Sequence, residues 1–503
     1  MKEMVSEKKK RVAGTRPKKK REIREGLSNV IGSIKESRFN RYISHGMYQN
    51  QKNNFYSEGE IKALEDAGVE DRLPPRATAW YMDLASRSNA IRNLIKARPE
   101  ETNDLSGESD PSNQLKYSPV PGLLHKYELV LLYVVRACSS WCRYCYRSDF
   151  LVGRTEKDIG SIQEITDYIK GHNAKAKEHN KADTPIKDRI IPIREALLSG
   201  GDPMVLSNKN LFDYMHGLAN AGVRMIRIGT KELAFFPQRF DKNFFDMIDL
   251  FHELHPRVGL AFMVHFTHPD ELLELDENGN HIEDDEGNYK RIEVTEQAIK
   301  NLRSRYFITL ENQTPIIDSV NDDADTLNLL QKQLKRIGIN NHYYFQCREI
   351  EGHRAFAVPV EKAWKIHSTS QMGLSGIEKS RFAMSTEAGK MEVVSIIDKP
   401  NFEALGVDLP ETVKAFVDEL VGDGLVVFKM HRTPYLDMQS DLVIARRNPE
   451  ALWITGYEDR IIYDGRKQGD DRYSPLAKLL KPFVDGHEEK LPEILDKVAT
   501  AAY

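Results

Sequence analysis

Three of the four cysteines of this chain, Cys138, Cys142 and Cys145, sit in the tract Arg136-Ala-Cys-Ser-Ser-Trp-Cys-Arg-Tyr-Cys-Tyr-Arg147. Thiolates are soft ligands suited to iron–sulfur chemistry. The C-x3-C-x2-C spacing offers three sulfurs where a four-iron cluster has four irons to hold, so one iron stays open to another ligand, whereas clusters that only carry electrons are held by four cysteines. Buried thiols and a zinc knuckle are the competing readings, and zinc prefers four ligands in separated pairs. A second motif, Leu198-Ser199-Gly200-Gly201-Asp202-Pro203, combines two glycines that let backbone approach a ligand closely with an acid that adds charge. Alone, a Gly-Gly-acid turn is also an ordinary strand end. Following the cysteine tract, it gains weight.

The elements that must position these motifs are legible as an alternation. Leu129–Val135 is an apolar run that reads as the first core strand, with the cysteines directly after it. Helices at Ile162–Lys170, Asn208–Ala221, Phe244–Leu254, Thr295–Arg303, Ala324–Arg336 and Val360–Ser368 then alternate with strands at Ala196–Leu198, Met225–Gly229, Gly259–Phe266, Tyr306–Leu310, His342–Gln346 and Arg381–Met384. That order predicts parallel βα units and a partial (β/α) barrel. Loops at the C-terminal ends of parallel strands are where such folds place chemistry. Polar insertions are expected at His172–Lys187 and at Asp276–Arg291, the latter a surface hairpin by its Asn-Gly and Glu-Gly pairs.

Outside the alternation the chain divides further. Residues 1–27 carry two Lys/Arg clusters and read as a solvated, disordered tail, since nothing downstream resembles a nucleic-acid module. Residues 28–117 read as a helical N-terminal region, with Ile61, Leu64, Met82, Leu84, Ile91, Leu94 and Ile95 on buried faces. The barrel is expected over 118–395. Residues 396–503 read as an α+β appendage for packing or oligomerisation, with two strands and a tight turn over Ala451–Tyr463 and helices at Leu476–Phe483 and Leu491–Ala501.

With 503 residues, 72 Lys and Arg against 76 Asp and Glu, and 40% hydrophobic residues, the chain has the composition of a soluble globular protein. It contains no apolar span long enough for a transmembrane helix and no apolar stretch near Met1 that reads as a secretory signal. Clustered cysteines point to a reducing compartment, the cytoplasm by default.

Taken with the tract's aromatic Tyr144, the cysteine motif and the Gly-Gly turn resemble those of radical SAM enzymes, in which S-adenosylmethionine (SAM) chelates the open iron through its amino and carboxylate groups. The likeness narrows with Ser118-Pro-Val-Pro-Gly-Leu-Leu-His125, Ile226-Arg-Ile-Gly-Thr230, Pro237-Gln-Arg239, His265-Phe-Thr-His-Pro269, Asn312-Gln313 and Val320-Asn-Asp322. Together, over about residues 60–395, these resemble lysine 2,3-aminomutases. The resemblance implies a radical SAM barrel, a [4Fe-4S] cluster on Cys138, Cys142 and Cys145, SAM near Ser199, Gly200, Gly201, Asp202, Tyr144 and His265, and pyridoxal 5′-phosphate (PLP) as second cofactor. It implies a Schiff base at Lys390 in Ser385-Thr-Glu-Ala-Gly-Lys390, with Lys126 in place of one family arginine and Gln313 on the phosphate; a second arginine has no counterpart. His268 shares the motif of His265. A reductant such as flavodoxin or ferredoxin and a free amino acid are the implied partners, with a homo-oligomer possible in principle, no membrane and no nucleic acid. An enzyme of this lineage without PLP, one acting on a protein-bound lysine, and a non-enzymatic iron–sulfur or nucleic-acid-binding protein are the alternatives.

Arg147 matches the family arginine that grips the substrate carboxylate, a bidentate task suited to guanidinium. The two aspartates that hold the distant ammonium of lysine are replaced by Arg348 and Ser385. A lysine side chain would meet a like charge there, at a cost of several kcal/mol. An acidic substrate such as glutamate is therefore expected, unless Arg348 turns outward or pairs with Glu349 or Glu351. The C-terminal region has no cysteine, so the zinc cluster common in lysine enzymes is not expected.

Overall fold

The computed structural model describes residues 32–37, 56–154, 158–406, 408–435 and 438–487. The basic tail over 1–27 and the helix expected at Leu491–Ala501 lie outside the described residues. Among the described residues twelve strands form one sheet whose spatial order is the chain order. Strands β1 (Leu123–Leu124) and β2 (Leu129–Val135) pair antiparallel. From β2 the sheet is parallel through β3 (Glu195–Gly200), β4 (Met225–Thr230), β5 (Gly259–Val264), β6 (Ile308–Ile316), β7 (Asn340–Gln346) and β8 (Arg381–Thr386). It then turns antiparallel through β9 (Gly389–Asp398), β10 (Gly424–Arg432), β11 (Leu442–Arg446) and β12 (Ile461–Asp464). The sheet does not close on itself among the described residues.

The local reasons are visible in the sequence. Parallel strands covered on both faces read as continuous apolar runs, and in β2 every residue but Leu131 and Val135 is buried. The helices α1 (Glu58–Ala67), α2 (Ala79–Arg87) and α3 (Asn89–Ile95) build the N-terminal region. Between the parallel strands run α4 (Ile162–His179), α5 (Asn208–Asn220), α6 (Lys242–Leu254), α7 (Glu293–Arg303), α8 (Ala324–Arg336) and α9 (Val360–Ser370). In α5 the Ser207 hydroxyl accepts the Asn210 N–H, satisfying an end donor, and Leu211, Phe212, Met215, Leu218 and Ala219 form the buried stripe. Asp241 and Asp323 cap α6 and α8 in the same way.

Four expectations need correction. The His172–Lys187 insertion begins as helix, because α4 continues to His179. Its Asn173 and Asn180 side chains donate to the carbonyls of Ile193 and Ile190, so hydrogen bonds fix a face that apolar periodicity does not reveal. Strand β6 starts at Ile308, not Tyr306, which is 86% exposed, and extends to Ile316 through a polar stretch that faces a cavity. Over Asp276–Arg291 there are two successive tight turns, each closed on an aspartate: Asp276 accepts from the Asn278 and Asn280 N–H groups, Asp284 from Glu286 and Asn288. Finally, Ala451–Tyr463 forms a 3-10 segment, Ile454–Arg460, leading into β12 rather than a strand pair. The strands of the C-terminal region are instead β9 to β12, flanked by α10 (Glu411–Val421) and α11 (Ser474–His487), and residue 396 falls inside β9.

The N-terminal region braces the cysteine tract. The Arg143 guanidinium, fully buried, donates from Nε to Glu101 Oε1 at 3.0 Å, pairs through Nη2 with the other carboxylate oxygen, and donates from Nη1 to the Leu73 carbonyl at 2.7 Å. Backbone bonds from Trp141 N to Arg76 O and from Arg143 N to Leu94 O run alongside, and the Ser140 hydroxyl accepts the Thr78 N–H. Glu101→Ala leaves this guanidinium buried and uncompensated, so it is expected to cost roughly 3–5 kcal/mol in urea unfolding. Asp83→Ala, which removes the exposed partner of Arg87, should cost under about 1 kcal/mol in the same measurement.

Candidate functional site

A cavity of about 380 Å³ opens at the C-terminal ends of the parallel strands. Cys138, Cys142, Tyr144, Cys145, Arg147, Ser199, Gly200, Gly201, Asp202, His265, Gln313, Arg348, Ser385, Lys390 and Lys126 all line it. His268 does not; its Nδ1 accepts the Asp270 N–H and caps the short turn Pro269–Glu271.

The glycine pair packs against the cysteine loop. Gly201 N–H donates to Val135 O at 2.7 Å and Asp202 N–H to Ala137 O at 2.9 Å. A Cβ on Gly200 would stand 2.6 Å from Val135 O, and one on Gly201 2.2 Å from Ala137 O. The close approach that these glycines allow is therefore to the backbone leading into Cys138. Asp202 is likewise engaged: its carboxylate accepts from Met204 N–H, Lys231 N–H and the Thr230 hydroxyl, tying the end of β3 to the end of β4. Burial nevertheless pushes its carboxyl up to about 6.

Burial also pushes the Cys138 thiol well up, the Cys142 thiol up to about 12 and the Cys145 thiol up, so bare thiols stay protonated here. Metal binding would release those protons. Cys138 and Cys145 pack with Leu124, Tyr133 and Phe150, while Cys142 packs against the main core. Among the described residues no three His, Cys, Asp or Glu side chains converge on a single-ion site. Three soft donors spread along one wall fit a polynuclear cluster, whose irons are ligated separately, better than one tetrahedral zinc.

Beside them a polar chain runs back into the protein. The Tyr144 hydroxyl is 2.9 Å from His265 Nε2 and 3.3 Å from the Thr267 hydroxyl. Burial, then the nearby Lys231 ammonium, holds the His265 imidazole well below its usual range, so it is neutral. Lys231 donates to His265 O at 2.8 Å and Thr267 Oγ1 at 2.9 Å and pairs with Glu271 at 2.6 Å, and Tyr81 donates to that carboxylate. Sequence reasoning stopped at Thr230 and missed Lys231, the next residue.

The lining is strongly cationic. Asp202 is the one acidic side chain among the described lining residues, against Lys126, Arg147, Arg227, Lys231, Arg348, Lys390 and Arg432. Arg227 pairs with Glu195 and Arg432 with Glu128. Arg147 donates from Nη1 to Ser199 Oγ and Gly200 O, and its buried Nε has no partner among the described residues. Arg348 faces the cavity rather than its acidic neighbours: Glu349 accepts from Thr455 and Glu351 pairs with Arg72. Two guanidiniums contact the Tyr146 ring, with the Arg348 carbon 4.0 Å and the Arg147 carbon 4.8 Å from its centroid. Lys126 donates to Thr386 O at 2.8 Å, and burial lowers its ammonium to about 8.

Lys390 lies on β9, cross-strand from Ser385 on β8 and from Arg432 on β10. Its amine sits 4.1 Å from the Tyr343 ring centroid and 5.1 Å from that of Phe345. It makes no hydrogen bond or ion pair among the described residues. Desolvation, followed by the charges of Arg432, Arg227 and Arg348, lowers it to about 7. An amine in this state is a competent nucleophile at neutral pH. Arg432 comes from the region that the sequence reading left without a chemical role.

No family model matches the chain. It is similar, however, to a protein of Aquifex aeolicus provisionally named L-lysine 2,3-aminomutase, with 29% identity over 80% of this chain and 92% of that one. L-lysine 2,3-aminomutases of Acetoanaerobium sticklandii and Fusobacterium nucleatum are each 27% identical, over 65% and 66% of this chain and 70% and 68% of theirs. Shared length of this extent around one strand-end cavity defines an enzyme of the isomerase class, an aminomutase. More narrowly, the chain is similar to lysine 2,3-aminomutases over most of its length.

Gly201→Ala is expected to destabilise the protein by roughly 1–3 kcal/mol through overpacking and to speed labelling of Cys138 by a thiol reagent, mapped by mass spectrometry. Gly171→Ala is the control. That site, within α4, has open space around a new Cβ, and the change should be neutral or stabilise by up to about 1 kcal/mol.

Proposed function

We propose that the chain is a radical SAM, PLP-dependent amino acid 2,3-aminomutase on a partial (β/α) barrel, moving the α-amino group to C3 of a free acidic amino acid, with glutamate favoured over lysine. The observation that carries the substrate preference is the pair of guanidiniums that contact Tyr146 and line the cavity. A dicarboxylic amino acid presents two anions joined by a short chain. Arg147, with its unpartnered Nε, would hold the α-carboxylate, and Arg348 with Ser385 the side-chain carboxylate. A lysine ammonium would instead be set against Arg348 in a cavity whose one acid among the described lining residues, Asp202, is already engaged.

Cys138, Cys142 and Cys145 would hold the [4Fe-4S] cluster, with SAM toward Tyr144, His265 and the turn Ser199–Asp202. Lys390 would hold PLP covalently, with Lys126 and Gln313 toward its phosphate. When bound, the cluster and SAM supply hydrogen-abstracting radical chemistry, and PLP supplies the π-system through which nitrogen can migrate. The chain's own work is orientation and exclusion. Ser199 and Gly200 O fix the Arg147 fork, the neutral His265 and Tyr144 line one side as hydrogen-bonding groups, and Leu131, Phe235, Met263 and Phe345 form apolar wall that keeps water from the reacting centre. A soluble cytoplasmic enzyme served by a flavodoxin- or ferredoxin-like reductant, and able to self-associate, accords with this reading; no helix among the described residues is long and apolar enough to cross a membrane.

The test is anaerobic reconstitution with SAM, PLP and reductant, followed by analysis for β-amino acids from a panel of substrates. Glutamate is expected to exceed lysine in kcat/KM by about 100-fold or more, as several kcal/mol of charge mismatch requires. Arg348→Asp should reverse or abolish that ratio. An unchanged ratio in the variant would sink the assignment of Arg348.

A further inference from the structure

The hairpin that carries Lys390 brings a second cation beside it. Residues directly opposite on antiparallel strands have their side chains on one face, with Cβ atoms about 4.5–5.5 Å apart, and Ser385, Lys390 and Arg432 form such a row across β8, β9 and β10. All three line the cavity. The register of the row is locked: a bulge between Met430 and Arg432 sets Arg432 opposite Lys390, and Gly389, at φ +138°, carries no Cβ because one would stand 2.2 Å from Arg432 O. Arg432 is also anchored from outside. Nη2 pairs with Glu128, just before β2, and the guanidinium carbon stands 4.7 Å from the Tyr127 ring centroid. These two contacts hold the guanidinium at the cavity edge beside the amine.

We propose that Arg432 is a positioning residue for Lys390: a fixed cross-strand positive charge, supplied by the C-terminal strands, that keeps the Lys390 amine free to react with a carbonyl group. The proposal rests on the reading of Lys390 as the cofactor-bearing lysine only for its purpose; the charge relation itself does not depend on it. In the step concerned, the amine lone pair attacks an aldehyde carbon. The C–N double bond then forms as the C–O bond breaks, and both amine hydrogens leave with the oxygen as water. A protonated amine has no lone pair for the attack.

Two further cations around Lys390 come from elements that do not adjoin β9. Arg227 on β4 is paired with Glu195, as Arg432 is with Glu128, and Arg348, just beyond β7, stacks on Tyr146. His342 on β7, near Glu311, is lowered to about 3, and His431 on β10, near Glu392 and bonded to Arg381, to about 4, so both are neutral near pH 7. Glu128 is the acid that opposes the effect on Lys390, and it acts from beside Arg432. Arg432 is therefore the charge whose removal should move the amine most.

The experiment is reductive methylation of the intact, cofactor-free chain with formaldehyde and a cyanoborohydride hydride donor across a pH series, with modification at Lys390 read by peptide mapping. In the parent protein the midpoint for Lys390 is expected near pH 7. Arg432→Gln should raise it by about one unit or more, Arg432→Lys should leave it near the parent value, and Glu128→Gln should lower it. A folded Arg432→Gln with the parent midpoint overturns the proposal. Should that variant not fold, Glu128→Gln decides, since its site is half exposed, and an unmoved midpoint there overturns it equally. Absorbance titration with PLP, run in parallel, separates the two readings: midpoints that shift in a chain that forms no PLP adduct at Lys390 retain the charge relation and reject the cofactor assignment.

Discussion

Everything at the strand ends depends on one buried ion pair. Arg143 stands inside the cysteine motif, and its guanidinium is consumed by Glu101 and the Leu73 carbonyl rather than by the cavity. A guanidinium without solvent must find fixed acceptors, and both come from the N-terminal helical region. The three thiols are thus aimed by a residue that faces away from them. On the other flank the loop is held by backbone alone, through the Gly200-Gly201 turn against Val135 and Ala137. Between these restraints the cysteine loop has little freedom, which is what a site that must present three ligands in fixed directions requires.

The cavity distributes its charge unevenly and for identifiable reasons. Where a cation lies between strands it is paired, as Lys231 is with Glu271 and Arg227 with Glu195. Where it faces the cavity it is left with donors to spare, as Arg147 and Arg348 are, or lowered toward neutrality, as Lys126 and Lys390 are. Unsatisfied positive charge in a concave, largely apolar space is costly to keep. On the proposed reading it would be retained to receive an anion, at the two guanidiniums that contact Tyr146.

Much of this was legible in the sequence. The strand Leu129–Val135 and the helix Ala324–Arg336 have the bounds expected from apolar patterning, because their burial is complete on the faces that the pattern marks. The chemical motifs converge on one cavity because parallel strands deliver all their C-terminal ends to one side. Where the reading failed, polarity hid the structure. The strand β6 is polar at Gln313 and Thr314 because these line the cavity, and the end of α4 is fixed by asparagine side chains. The antiparallel strands had a signal, the alternation of Val426, Phe428 and Met430. Arg432 had none, since only the register across β9 and β10 turns an arginine near a strand end into a neighbour of Lys390.

The continuity of the sheet from β8 into β9 and β10 has a consequence for how the molecule comes into being. Chains emerge from the ribosome N-terminus first and fold as they do so. The cysteine loop and its brace are complete once β4 has been made, whereas the row Ser385, Lys390, Arg432 waits for the strand that ends at Arg432. Arg348, Lys390 and Arg432 are thus the last cations of the cavity to be made, and the amine can acquire its neighbour only when more than four-fifths of these 503 residues have been synthesised.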